Sequence, residues 1–388
     1  MAKRSDRVAG FGTTIFTEIN QLAQQHNALN LGQGKPDFDG PGEIIQAAVT
    51  ALQDGSHNQY APGPGAGPLR QAVADHAKRF YKLEIDPQDG VIVTAGATEA
   101  IFSSVLGLVD RGDEVIVIEP YFDSYVPNIT MAGATPVFVP LHPPTWTFDP
   151  DELRAAFGPR TRALILNTPH NPTGRVFTRE ELMLIAGLCQ EHDVSVISDE
   201  VYEHLIFDGV CHIPIATLPG MFERTVTISS LGKSFSVTGW KIGWVSGAPE
   251  LVRGVAQAHQ FVTFAVNYPA QQAAAFALNL PETYFSDFRK MYTGKRDLLL
   301  DALKRGGLEA TRPQGTYFVM ADFSSVFDGD DIEFARYLTS EIGVACIPPT
   351  FFYSHDHAHM ASTQARFAFC KSDEMLKEVG ERLAFLGR

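Results

Sequence analysis

The fold of this chain is restricted most by a series of short, β-branched, apolar runs separated by helix-length amphipathic segments. The runs are Val91–Thr94, Val115–Ile118, Pro136–Val139, Ala163–Asn167, Val194–Ser198, Thr225–Ser229 and Ile242–Ser246. Each is mostly apolar on both faces. That is expected of strands in a mainly parallel sheet with helices covering both sides. Thr178 and Glu181 stand at capping-box spacing, and the stripe Leu182, Ile185, Leu188 and Cys189 follows. A helix is therefore predicted there.

Two segments differ. An amphipathic stretch from Ile15 to Ala28 leads into an extended Gly/Pro run, LGQGKPDFDGP. From about residue 285 onward, long helices mix with strand candidates at Gly315–Ala321 and Arg366–Cys370. The chain of 388 residues has length for about two packed units. The expectation is an α/β fold. A mainly parallel seven-stranded sheet forms a large domain over residues 41–284. A smaller α+β domain draws on both chain ends, 1–40 and 285–388.

Charge narrows the function classes. With 31 basic and 45 acidic side chains the net charge is −14, and no dense Lys/Arg run is present. Nucleic acid and anionic membrane surfaces are disfavoured as partners. No apolar stretch approaches ~20 residues, so no spanning helix is expected. The N-terminus carries no apolar signal region. Cys189, Cys211, Cys346 and Cys370 lie far apart without a C-x-x-C pair. That usage fits a reducing, cytoplasmic setting without a closed zinc site.

In open α/β sheets ligands bind beyond the carboxyl ends of the strands. The residues following each run are therefore the candidates. Gly96, Ala97 and Thr98 open a helix after Val91–Thr94, where free N–H groups make an anion seat. The turn from Asn167 to Gly174 contains Asn171. Asp199 and Tyr202 follow the fifth run, and Ser230 and Lys233 follow the sixth. Singly, these are ordinary caps and loop charges. Together, an amine, a carboxylate and a phosphate seat form the set required by a pyridoxal phosphate Schiff base.

The order and wording of the motifs are more specific. Asn171-Pro172-x-Gly174 is followed by Asp199-Glu200-Val201-Tyr202, then Ser230-Leu231-Gly232-Lys233-Ser234-Phe235, then Thr238-Gly239-Trp240-Lys241. This succession resembles the fold-type I, class I/II pyridoxal phosphate-dependent aminotransferases. It runs from Asn30-Leu31-Gly32-Gln33-Gly34 to Arg366-Phe367. Asn58-Gln59-Tyr60 and the segment Glu119 to Tyr125 are similar to the kynurenine aminotransferase, glutamine transaminase K and methionine aminotransferase branch.

The resemblance implies roles. Lys233 matches the Schiff-base lysine and Asp199 the partner of the pyridine nitrogen. Asn171 and Tyr202 match the groups on the ring's phenolic oxygen, and Phe122 the stacked aromatic. Gly96, Ala97, Thr98, Ser230 and Lys241 match the phosphate donors. Tyr60 matches a tyrosine reaching the phosphate from a partner subunit, which implies a homodimer. Arg366 matches the fork that takes the substrate carboxylate, with Gly34 and Asn171 beside it. The implied activity is transfer of an amino group from an aromatic, methionine, glutamine or kynurenine-type L-amino acid to a 2-oxo acid by a ping-pong route. A cysteine-S-conjugate β-lyase on the same cofactor is the alternative. A DNA-binding regulator would need a further helix-turn-helix module, for which the chain leaves no room.

Some features are set aside. His355, His357 and His359 alternate, but in a polar loop without cysteine partners, so no metal is expected. Gly63-x-Gly65-x-Gly67 follows Tyr60-Ala61-Pro62 rather than a buried strand, which fails the dinucleotide context. Lys35 stands where the branch often has an aromatic. It would place a cation near the substrate mouth, suited to a second carboxylate. Phe11, Phe16, Tyr125 and Phe264 are further candidates for apolar walls.

Overall fold

A computed structural model describes residues 4–12 and 14–386. Thr13 and the outermost positions of the segments 1–40 and 285–388 lie outside the described residues. The central sheet has seven strands: β1 (Val91–Thr94), β2 (Glu114–Glu119), β3 (Thr135–Pro140), β4 (Thr161–Asn167), β5 (Ser195–Asp199), β6 (Thr225–Ser230) and β7 (Gly243–Gly247). Their spatial order is β1-β7-β6-β5-β4-β2-β3. All neighbours pair in parallel except at β7, which is antiparallel to both β1 and β6. The predicted runs thus find their strands, with ends shifted by one or two residues.

The helices that frame the site are α1 (Ile15–Gln25), α2 (Gly67–Tyr81), α3 (Gly96–Leu108), α4 (Arg179–Glu191), α5 (Pro249–Val262), α6 (Glu282–Arg305) and α7 (Asp373–Leu383). The Thr178–Glu181 capping box forms as expected at the start of α4. Helix α1 is shorter than its amphipathic stretch. It ends at Gln25 because Asn27 takes a left-handed φ of 50°. Similarly, Thr316 has φ 63°, so the strand expected from Gly315 begins only at Phe318 and runs to Asp322.

Both chain ends meet in one apolar cluster. Ile15, Ile19 and Leu31 pack with Leu299, Val319, Phe334, Phe367 and Leu376. Leu29–Asn30 pairs in parallel with Val344–Ala345. Phe318–Asp322 pairs antiparallel with Gln364–Ala368 and with Glu309–Ala310.

The sheet edge is shaped by one close approach. Gly243 opens β7 between Thr94 and Ser230. A Cβ there would lie 2.6 Å from the Gly96 carbonyl carbon and 2.8 Å from the Ala97 nitrogen. The missing side chain lets the start of α3 settle against β7. Overpacking of this kind costs about 1–3 kcal/mol. Gly243→Ala is therefore expected to lower stability by that amount in urea unfolding. An unchanged midpoint would contradict the close packing.

Candidate active site

Parallel pairing aligns the last residues of adjacent strands. Asn167 of β4 stands in register with Asp199 of β5. The Asn167 side chain then joins two loops: its Oδ1 accepts from the Asn171 N–H at 2.7 Å, and its Nδ2 donates to the Asp199 carbonyl at 2.8 Å. Helix α3 begins beside them. Gly96 has φ +77°, which only glycine adopts freely. No side chain caps the helix start, so its first N–H groups point outward. Lys241 Nζ lies 3.3 Å from Thr98 Oγ1 at the same end.

These elements surround a cavity of ≈ 110 Å³. Gly96, Ala97, Thr98, Ser230 and Lys241 line its anion-seeking end. Phe122, Asn171, Asp199, Tyr202 and Lys233 line the remainder. Ten of the sequence-derived candidates are thereby brought together. The three others named are placed elsewhere. Arg366 sits just beyond, donating from Nη1 to Asn171 Oδ1 at 3.1 Å and from Nη2 to the Gly32 carbonyl at 2.8 Å. Gly34 accepts through its carbonyl from Tyr317 Oη at 2.8 Å. Tyr60 does not reach the cavity. It is 82% exposed and packs edge-on against Phe264.

Burial dominates the electrostatics. Removal from water pushes the Asp199 carboxyl up to about 6, against the opposing hydrogen bond from Tyr125 Oη at 2.7 Å. Burial pulls the Lys233 amine down to about 8. Its Nζ donates to Tyr317 Oη at 2.8 Å. Arg366 is brought down to about 10 by burial and remains a cation. Phe318, Phe352 and Phe16 surround its guanidinium at 4.2, 5.0 and 5.2 Å. Its Nε has no hydrogen-bond partner, so a buried donor remains beside the cavity. The site thus combines a readily deprotonated amine, a shielded carboxylate, an anion seat and a guanidinium.

Sequence reasoning missed Tyr317 and treated Tyr125 only as a wall. Both act through contacts far along the chain, 84 residues in one case and 74 in the other. Asn167 was within the candidate turn but was not singled out. Its position at the end of β4, opposite Asp199, was the available signal. Phe11 stays at the surface, 36% exposed. His170 is buried on Thr173 Oγ1 at 2.8 Å. His357 Nδ1 contacts Glu119 Oε2 at 2.5 Å.

A sequence profile described as aminotransferase class I and II matches residues 26–383. The chain belongs to that family. This aminotransferase is therefore an enzyme, and its family and fold work with pyridoxal phosphate. It is 45% identical to an N-succinyldiaminopimelate aminotransferase from Mycobacterium tuberculosis of known structure. The match covers 98% of this chain and 99% of that one, with a TM-score of 0.94. A methionine aminotransferase from Escherichia coli is 40% identical, over 96% of this chain and 95% of the relative. Kynurenine–oxoglutarate transaminase 1 from Homo sapiens is also 40% identical, over 99% and 98%. No helix among the described residues is long and apolar enough to cross a membrane.

The Asp199 shift has a measurable consequence in the cofactor-free chain. The folded carboxyl holds its proton up to about pH 6, whereas the unfolded one releases it near 3.8. The folded state binds more protons between these values, so Asp199 makes stability fall as pH rises through the window, by roughly 3 kcal/mol. Asp199→Asn is expected to flatten that decline in urea unfolding between about pH 4 and 6. Parallel pH profiles in the two proteins would refute the buried-carboxyl assignment.

Proposed function

We propose that the enzyme binds pyridoxal 5'-phosphate in this cavity and transfers the amino group of an L-amino acid to a 2-oxo acid by a ping-pong route. The observation that carries this reading is the buried Lys233 amine facing the same cavity as Asp199 and the uncapped start of α3. The donor set fits the group: the N–H groups of Gly96, Ala97 and Thr98, with Ser230 and Lys241, suit a dianionic phosphate. A Cβ at Gly96 would lie 3.2 Å from Lys241 Nζ, so glycine there lets the Lys241 ammonium lie close against the start of α3. When bound, the cofactor supplies an electrophilic aldehyde and a ring that draws negative charge away from the substrate Cα.

The chain's own residues do the rest. Lys233 would hold the aldehyde and then, as a neutral amine, take the proton from the substrate Cα. Its lowered basicity makes that neutral form accessible near physiological pH. Asp199, shielded from water and steadied by Tyr125, would keep the ring nitrogen protonated. Asn171 and Tyr202 would serve the phenolic oxygen, and Phe122 offers an aromatic face for the ring. Arg366 takes the substrate carboxylate as a fork, with Asn171 and Gly34 beside it. Segment 41–284 is the cofactor-holding unit in this reading. Segments 1–40 and 285–388 form the smaller domain that brings Gly34 and Arg366 to it.

The aromatic surround of Arg366 supports aromatic, methionine or kynurenine-type donors within the expected range that also includes glutamine. A donor with a second carboxylate is the second reading. Lys35 favours it, with its side chain exposed next to Gly34. No observation favours the β-lyase. A homodimer completed by Tyr60 of each copy is supported by the exposure of Tyr60 and of Phe264, which packs against it. The four cysteines are unpaired, which suits a cytoplasmic location.

Lys233→Ala is expected to abolish turnover, with the fold retained by circular dichroism. Near-normal turnover would contradict the assignment. A panel of amino acids read by the cofactor's visible absorption should mark productive donors by conversion to the amine form. Lys35→Phe should lower kcat/KM for glutamate relative to methionine. An unchanged ratio would dispose of the second reading.

A further inference from the structure

Alternate side chains of β6 face opposite sides of the sheet. Ser230 lines the active-site cavity, whereas Ser229 lines a second one. That second cavity has about 30 Å³ open to water centres and is also walled by His76, Tyr81, Glu200 and Glu203. By the same measure roughly 10–15 Å³ holds one water. The space therefore admits a small ligand or about two waters.

Three fully packed side chains converge beside it. His76 of α2 and His204 face each other through Nε2 atoms 2.7 Å apart, across 128 residues of sequence. Glu203 Oε2 lies 3.9 Å from His76 Nδ1. One donor atom from each of the three lies within 4.8 Å of the other two. At least one Nε2 must present a lone pair to the gap, because two N–H groups cannot share it. Burial pushes both imidazoles toward the neutral form that binds metals. Glu203 accepts from Ser229 Oγ at 2.6 Å and from Tyr81 Oη at 2.7 Å, so its carboxylate is oriented by outer partners. Such partners fix ligating groups in metal sites. Its one basic neighbour within 4 Å among the described residues is the His76 ring. Buried carboxylates are ordinarily paired or bound to metal.

We propose that His76, His204 and Glu203 form a binding site for a first-row divalent cation, zinc being the ion tested, with water from the adjoining cavity at the remaining position. Two imidazoles and a carboxylate with one open position suit such ions. Zinc–nitrogen bonds of about 2.0–2.1 Å in a tetrahedron separate two nitrogens by about 3.3 Å. The imidazole rings must therefore part by about 0.6 Å on binding. The packed rings of Phe80 and Phe285 flank both imidazoles and exclude bulk water. The ion would tie the C-terminal part of α2 to the turn bearing Asp199 and Tyr202. The proposal does not depend on the reaction assigned above.

The full chain, stripped with a chelator, equilibrated with zinc and desalted, is expected to retain about one zinc per chain by mass spectrometry. His76→Gln should retain none at this site. Zinc should raise the thermal midpoint of the unaltered protein and leave that of His76→Gln in place. Equal retention and equal midpoints in the two proteins would overturn the proposal. A second measurement does not depend on the variant folding. Anomalous scattering at the zinc edge from zinc-soaked crystals of the unaltered chain should show a peak between the His76 and His204 rings. Peaks only elsewhere, or none, would overturn it.

Discussion

Parallel pairing is the constraint from which the site follows. A parallel strand must be reached by a crossover, so β4, β5 and β6 all end at one edge of the sheet. Asn167, Asp199 and Ser230 are the final residues of those strands. Their proximity requires no special sequence between them, only that the crossovers be long enough to return. Helix α3 adds its uncapped start at the same edge because Gly243 leaves room for it.

The second determinant is dryness. An amine and a carboxylate in water would be fully charged. Here burial moves each toward its neutral form, Lys233 to about 8 and Asp199 to about 6. Neither is abandoned to that trend. Tyr125 donates to Asp199, and Tyr317 sits between Lys233 and the Gly34 carbonyl. The phenols act as adjustable partners that let charge appear where a reaction calls for it. Arg366 meets the same problem chiefly with aromatic faces, no carboxylate being within ion-pair distance among the described residues, and its Nε is left without a hydrogen-bond partner.

What could be read from sequence was local. Lys233, Asp199, Asn171 and the Gly96 turn each lie next to a strand of distinctive composition, and a strand end announces its neighbours. The strand count and the parallel majority followed from apolar runs alone. What could not be read was pairing across distance. Tyr317 lies on a turn whose left-handed neighbour, Thr316, breaks the expected strand. Phe16 could be named as a wall, but its place over Arg366 depends on how the two chain ends pack. The His76–His204 contact has no local signature, because one partner lies within helix α2 and the other follows the Asp199–Tyr202 turn. Tyr60 illustrates the opposite case: its position is plain, yet nothing within one copy of the chain gives it a task.

The pairing of Leu29–Asn30 with Val344–Ala345 bears on how the protein is made. A ribosome adding about 5–20 residues per second needs on the order of tens of seconds to reach the second segment after releasing the first. For that interval the apolar stripe Ile15, Ile19 and Ala23 has emerged without the surface it will cover. The central sheet can assemble meanwhile, whereas the guanidinium pocket closes only once Arg366 has emerged. Nascent chains stalled before that point would carry a formed nucleus and a loose, sticky leader, the form on which a chaperone would act.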